Sequence, residues 1–278
     1  VSAIAELVAD TAVEGVYAVS RKQRLHTRSG TPYLALELID SSGRIDARVW
    51  SDVELLDRRF QAGDAVRVLG RVERFRDRLQ LEVRALEPAP DVDPATLTPE
   101  PRRDPEELQG FLEFLTAEIA HPGLRGVVER TLADELLRQR LGSLPATLEG
   151  HHAYTGGLLE HTVGVATICR ETAQLHARLR PDLLLAAALL HDLGRTLELG
   201  PPPLFAPTVE GRLLGHVQLG LRLVEERAQG LSQELQAELL HAIAVHHDGR
   251  AARTAEAAVL HHANQLDAVA ATRPVSVD

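Results

Sequence analysis

Histidine is the residue type whose placement first suggests chemistry in this chain. Twelve of its thirteen histidines lie after residue 120, and several stand beside aspartate or at the expected ends of helices. Imidazole and carboxylate groups that project inward from facing helices are what a metal site in a helical bundle requires. His161 falls near the end of the string HHAYTGGLLEHT, and thirty residues later the run DLLLAAALL delivers His191 and Asp192 into HDLGR. An ionisable pair closing so apolar a helix is costly to bury without partners, and a divalent cation satisfies both groups. Two helix-terminal residues facing water are the plain alternative for the dipeptide alone. The number of other histidines weighs against it.

The elements that must carry these residues are helical. From Pro105-Glu106-Glu107 onward, apolar positions such as Leu108, Phe111, Leu112, Leu115 and Ile119 recur at helical spacing. Helices are expected near 105–120, 123–140, 156–178, 181–193, 211–228, 232–246 and 254–271. Ahead of them the period is that of strands, over 13–21, 33–40, 44–50, 65–75 and 79–86, with a short helix over 52–60. Five strands with a helix between the third and fourth follow the order of an OB-fold barrel. Another small β-barrel is the bland alternative. Between these regions EPAPDVDPATLTPEPRRDP holds six prolines and no apolar period, which reads as a stiff, extended linker. The expected organisation is therefore multidomain: a five-stranded OB-fold barrel over 1–86, a proline-rich linker over 87–105, and an all-α bundle over 106–278.

Composition sets outer bounds. With 44% apolar and 25% charged residues, the chain has the make-up of a globular protein, and no apolar run approaches the roughly 18 residues of a membrane span. Residues 1–10 lack the features of a signal peptide, so a cytoplasmic location is the expectation. Cys169 is the only cysteine, which excludes an internal disulfide and a multi-thiolate zinc site, and its apolar helical setting reads as core. The net charge of −10 lies wholly after residue 87, the first 87 residues being neutral overall. An acidic total therefore does not exclude a nucleic-acid partner for the barrel.

The blocks HHAYTGGLLEHT, LLHDLGR, GHVQLG, VHHDG and LHHANQLDA, in that order, resemble the HD phosphohydrolase superfamily. With an OB-like domain ahead, nearly the whole chain resembles the bacterial 3′-to-5′ exoribonuclease family of the YhaM type. The resemblance implies His161, His191 and Asp192 as metal ligands, with a carboxylate from the last helix completing the set. The family's D-x-L-D-A reads here as Asn264-Gln265-Leu266-Asp267-Ala268. Either Asp267 supplies the carboxylate or Asn264 Oδ1 coordinates, and Asp267, the remaining anion, is the expected ligand. His216, His246 and His247 match the extra histidines of two-metal HD proteins. With one metal the same imidazoles would hold phosphate or act as general acid.

One or two divalent ions, with Mn2+ as the family's metal, are thus implied, together with catalytic roles for His191, Asp192, His216 and His247. Arg195 stands where the family has a lysine, and a guanidinium there could clamp a phosphate oxygen or simply complement a helix C-terminus. His152, inside the long string, is placed with the strand-binding residues. His151, His241, His261 and His262 read as capping or surface imidazoles, and His26, His121 and His176 as bystanders.

OB-folds bind single strands by stacking bases on exposed aromatics along a basic groove. Trp50 and Phe75, the latter beside Arg74, Arg76 and Arg78, are the stacking candidates, with core packing as the rival reading. Tyr17, Tyr33 and Phe60 are expected in the core. The function that the resemblance implies is a metal-dependent 3′-to-5′ exonuclease acting on single-stranded RNA, with single-stranded DNA as a further candidate substrate. Two other readings stay open: a hydrolase of small nucleotides or cyclic dinucleotides, and a non-catalytic single-strand-binding protein with a degenerate HD site. Neither a homo-oligomer nor a monomer is favoured by the sequence.

Overall fold

Alternating apolar residues build the first of two units. They send Leu34, Leu36 and Leu38, Ala47 and Val49, and Val66, Val68 and Val72 into one core while their neighbours face outward. In this computed structural model, which describes residues 3–76, 78–98, 101–148 and 150–272, that unit comprises 1–100 with 201–204. The second comprises 101–200 with 205–278.

The strands are β1 (Ala12–His26), β2 (Pro32–Asp40), β3 (Gly43–Val49), β4 (Ala65–Phe75) and β5 (Arg78–Pro88). They close a barrel in the order β1-β2-β3-β5-β4, with β3 and β5 parallel and the other neighbours antiparallel. β1 can serve two neighbours because a bulge between Val19 and Arg21 bends it, its first half pairing with β4 and its second with β2. It outruns the expected strand because Lys22–His26 are held by pairing with β2, which their mostly polar sequence does not advertise. Helix α1 (Val53–Asp57) bridges β3 and β4, and Leu56 and Phe60 enter the core. The result is the five-stranded OB-fold. After β5 the proline-rich stretch is not extended throughout, since Pro94–Leu97 forms a 3-10 turn whose first turn is capped by Asp93.

The second unit is helical: α2 (Pro105–Ala117), α3 (Pro122–Leu132), α4 (Glu135–Ser143), α5 (Gly157–Leu175), α6 (Pro181–Leu190), α7 (Arg195–Glu198), α8 (Val209–Arg227), α9 (Gln233–Ala244) and α10 (Ala255–Thr272). The single helix expected over 123–140 is two, because the Asp134 carboxylate accepts from the Leu137 N–H and starts a new helix. Helix α6 is the centre. All of Leu183–Leu190 is buried, and the helix packs on α2, α3, α5, α9 and α10, which explains why it is apolar all round. None of the described helices is long and apolar enough to cross a membrane.

Two glycines set the approach of α8 to the end of α6. At Gly194 an added Cβ would collide with the His216 carbonyl and the Gly220 amide, both backbone atoms that cannot swing aside. Gly215 has φ 71° and ψ 162°, a conformation open in practice only to glycine, and it kinks α8 immediately before His216. Gly194→Ala should therefore lower stability by about 1–3 kcal/mol, the usual range for overpacking, through displacement of α8. Thermal melts check this, and an unchanged midpoint would contradict the close backbone approach.

Candidate functional site

The C-terminal end of α6 runs straight into His191 and Asp192, both effectively sealed from solvent. His191 Nδ1 donates to the Ala188 carbonyl at 2.7 Å, which leaves Nε2 as a lone-pair acceptor. On α5, His161 gives its Nδ1 proton to Asp267 Oδ2 at 2.6 Å and so also turns an acceptor inward. The two Nε2 atoms face each other at 3.3 Å, and each lies 3.8 Å from Asp192 Oδ2.

The other oxygen of Asp192 meets a second group. His246, just past α9, donates Nδ1–H to the Ile243 carbonyl at 2.6 Å and points Nε2 at Asp192 Oδ1, 3.4 Å away. His216 Nε2 stands 3.3 Å from the same oxygen, and His247 Nε2 lies 3.0 Å from His216 Nε2. Asp192 Oδ1 and His246 Nε2 are buried without a hydrogen-bond partner. Acceptors thus crowd against acceptors on both sides of one carboxylate. That arrangement repels itself unless a cation sits among the lone pairs, so the donor set fits divalent ions of the kind that imidazole and carboxylate bind. The groups His161–His191–Asp192 and Asp192–His216–His246–His247 each have ligand atoms close enough to share an ion.

Charged neighbours fix the ionic state of the centre. Burial opposes charge on Asp192, yet Arg195, His191, His246 and His216 outweigh it and hold the carboxyl well below the usual range. Arg195 Nε binds Asp192 Oδ2 at 3.1 Å and its Nη1 binds Glu198 Oε2 at 3.0 Å. The expected phosphate clamp is therefore engaged with two protein carboxylates. Glu198, which no motif singles out, also faces His216 Nδ1 at 3.5 Å and accepts from the His216 backbone N–H, next to the kink, at 3.3 Å.

Other expectations need correction. His152 is not on a strand-binding surface: it is buried, with Nε2 2.9 Å from Asp267 Oδ2 and Nδ1 2.8 Å from the Tyr154 hydroxyl. Asp267 lies outside each group of potential ligands among the described residues and touches His161 on the nitrogen turned away from His191. Asn264 is buried one turn earlier on α10. His151, expected to cap or face water, is half-buried, forms a third group with His152 and His161, and has an unpartnered Nδ1. His241 does cap, accepting from the Arg253 N–H, whereas His261 is buried and holds the His246 carbonyl. The contacts of Asp267 with His152 and His161 could not be read from spacing, because they join segments more than 100 residues apart.

On the barrel, Trp50 is 46% and Phe75 57% exposed, so neither is core. Tyr17 and Phe60 are buried as expected, but Tyr33 is half-exposed and stacks on Trp50 at 4.7 Å between ring centroids. Arg74, Arg76 and Arg78 are exposed at the β4–β5 turn, where the Arg76 guanidinium lies over the Phe75 ring at 5.3 Å.

Burial pushes the His191 imidazole down to about 3, and burial followed by the charge of His161 pushes His151 down to about 4. A folded-state value below the unfolded one means that the unfolded chain takes up the proton first. Stability is then complete above pH 6.5, the ordinary histidine value, and is lost as pH falls towards 3–4, by up to about 1.4 kcal/mol per unit for each group. Calorimetry of chelator-treated protein should show the midpoint falling already between pH 7 and 5. A profile flat to pH 5 would contradict the buried neutral imidazoles.

Comparison with known proteins matches residues 17–89 to the OB-fold nucleic acid binding domain family and residues 158–269 to the HD domain family. A protein named 3′-5′ exoribonuclease YhaM from Geobacillus sp. (strain WCH70) is 30% identical over 253 residues, covering 86% of this chain and 77% of its own. Its namesake from Bacillus velezensis is 31% identical over 252 residues, covering 86% and 79%. Among solved structures, the second OB-fold domain of replication protein A from Methanococcus maripaludis is 25% identical, covering 31% of this chain and 92% of that one at a TM-score of 0.26. A single-stranded DNA binding protein from Thermus aquaticus is 20% identical, covering 34% and 43% at 0.26. With its OB-fold barrel, its HD domain and the two-sided cluster around Asp192, the chain belongs to the YhaM family of HD phosphohydrolases.

Proposed function

We propose that this protein is a metal-dependent 3′-to-5′ exonuclease of single-stranded RNA, able also to take single-stranded DNA. The observation that carries the reading is the two-sided set of acceptors on Asp192, in a chain that also bears a nucleic-acid-binding OB-fold. Support for direction and substrate comes from the relatives named 3′-5′ exoribonuclease.

His161, His191 and Asp192 Oδ2 would hold one divalent ion, and Asp192 Oδ1 with His216, His246 and His247 a second. Ions of this kind supply an activated water and neutralise charge on the phosphoryl oxygens. Asp192 fixes both sides of the site through one carboxylate, and Arg195 balances its charge. Ala188 and Ile243 hold His191 and His246 in the tautomer that binds through Nε2. His247 is exposed at the edge of the cluster; with only the first ion bound, its Nε2 would not be a ligand and would be the group suited to hold a proton for the leaving oxygen. Trp50, Tyr33 and Phe75 offer π-faces to bases, with Arg74, Arg76 and Arg78 beside Phe75 for phosphates. Mn2+ is the ion proposed for this role, since imidazole and carboxylate ligands suit it.

Purified protein incubated with 5′-end-labelled single-stranded RNA and Mn2+ should yield a ladder of shortened labelled products. Asp192→Asn should abolish it. Trp50→Ala should weaken strand binding by about 1–3 kcal/mol while hydrolysis of a small phosphodiester such as bis(p-nitrophenyl) phosphate stays as in wild type. Tight, salt-sensitive binding without shortening in any divalent metal would overturn the exonuclease reading. Rapid turnover of nucleotides or cyclic dinucleotides with intact RNA would do the same.

A further inference from the structure

His161 reaches a carboxylate that none of the ion-holding groups includes. Asp267 Oδ2 accepts from His161 Nδ1 at 2.6 Å and lies 2.9 Å from His152 Nε2. The same His152 turns Nδ1 to the Tyr154 hydroxyl at 2.8 Å, and that hydroxyl donates to Glu160 Oε2 at 2.7 Å. Glu160 immediately precedes His161 on α5, so the contacts form a loop that leaves α5, crosses to α10 and returns beside its starting point.

We propose that Asp267 is a positioning residue, not a ligand. It fixes the His161 ring through Nδ1 so that Nε2 faces His191 and Asp192, and His152, Tyr154 and Glu160 hold Asp267 in register. The proposal rests on the metal-centre reading above and not on the strand-degrading one. An imidazole has one proton on one nitrogen when it binds a metal through the other, so a carboxylate on Nδ1 selects the tautomer and raises the basicity of Nε2. Asp267 is suited to this, since its one Oδ2 meets both rings, His161 at Nδ1 and His152 at Nε2. The His161 side then presents three protein ligands, His161, His191 and Asp192, and leaves the remaining positions to water and substrate, as hydrolytic metal sites require.

Chelator-stripped full-length protein titrated with Co2+ tests this through the visible absorption of the bound ion, which reports the ligand set, and through the affinity. Asp267→Asn should weaken Co2+ binding about 10–100-fold, the usual cost of losing an outer hydrogen-bond partner, with an unchanged band at saturation. Tyr154→Phe should weaken it by a smaller factor, also with an unchanged band, while His161→Ala should alter the band. Because Tyr154→Phe removes only a hydroxyl outside the ligand set, it carries the test even if Asp267→Asn fails to fold. A saturated Asp267→Asn spectrum altered as in His161→Ala, or unchanged affinity in Asp267→Asn or Tyr154→Phe, overturns the proposal alone. Wild-type protein that takes up no Co2+ overturns the metal centre with it, and the RNA assay reads the exonuclease proposal separately.

Discussion

Lone pairs directed at one buried carboxylate are the constraint around which the helical unit is arranged. Asp192 sits at the end of a helix with no water-facing side, and four imidazoles arrive on it from α5, α6, α8 and the end of α9. Folding alone does not favour such a cluster, because hydrophobic burial removes solvent from groups that then repel one another. The surrounding helices must over-determine it. Backbone carbonyls at Ala188 and Ile243 orient two rings, Asp267 orients a third, and Glu198 with the kink at Gly215 sets the fourth.

The same requirement explains otherwise odd local choices. Gly194 follows the HD pair because the backbone of α8 passes within touching distance, and only that approach brings His216 to Asp192. Arg195 gives its guanidinium to Asp192 and Glu198, so a positive charge lies permanently beside the buried anion. The barrel, by contrast, makes no such demand on its core, which is filled by ordinary alternation. The surface proposed for strand binding consists of aromatics left outside that core, with Tyr33 and Trp50 stacked together and Phe75 under Arg76.

Much of this was legible in the sequence. Strand order, the helix after β3 and the central α6 follow from period and length, because each is decided by residues a few positions apart. The principal histidines were legible as well, through their blocks. What escaped were contacts set by how loops and helices fold back on one another: Glu198 against His216, Tyr154 and Glu160 behind His152, His151 beside His161, and Asp267 from α10 against His152 and His161. The half-exposure of Tyr33 escaped too, since a strand's aromatic reads alike whether it faces the core or a neighbouring indole. The break at Asp134 and the kink at Gly215 show the limit of periodicity, which passes over a single capping carboxylate or one left-handed glycine.

The all-round burial of α6 bears on how the centre opens over time. Segments with exposed backbone and few apolar neighbours open by local fluctuation, whereas a helix enclosed on every side exchanges its amides only when the whole domain comes apart. His191 and Asp192 inherit the latter behaviour from α6, and His247, on the exposed rim after α9, inherits the former. One face of the cluster is thus kinetically locked to the lifetime of the fold, and the other is free to breathe at its edge. Under the proposed function, exchange of ions and release of product would take place at that edge, with Asp192 fixed beneath them.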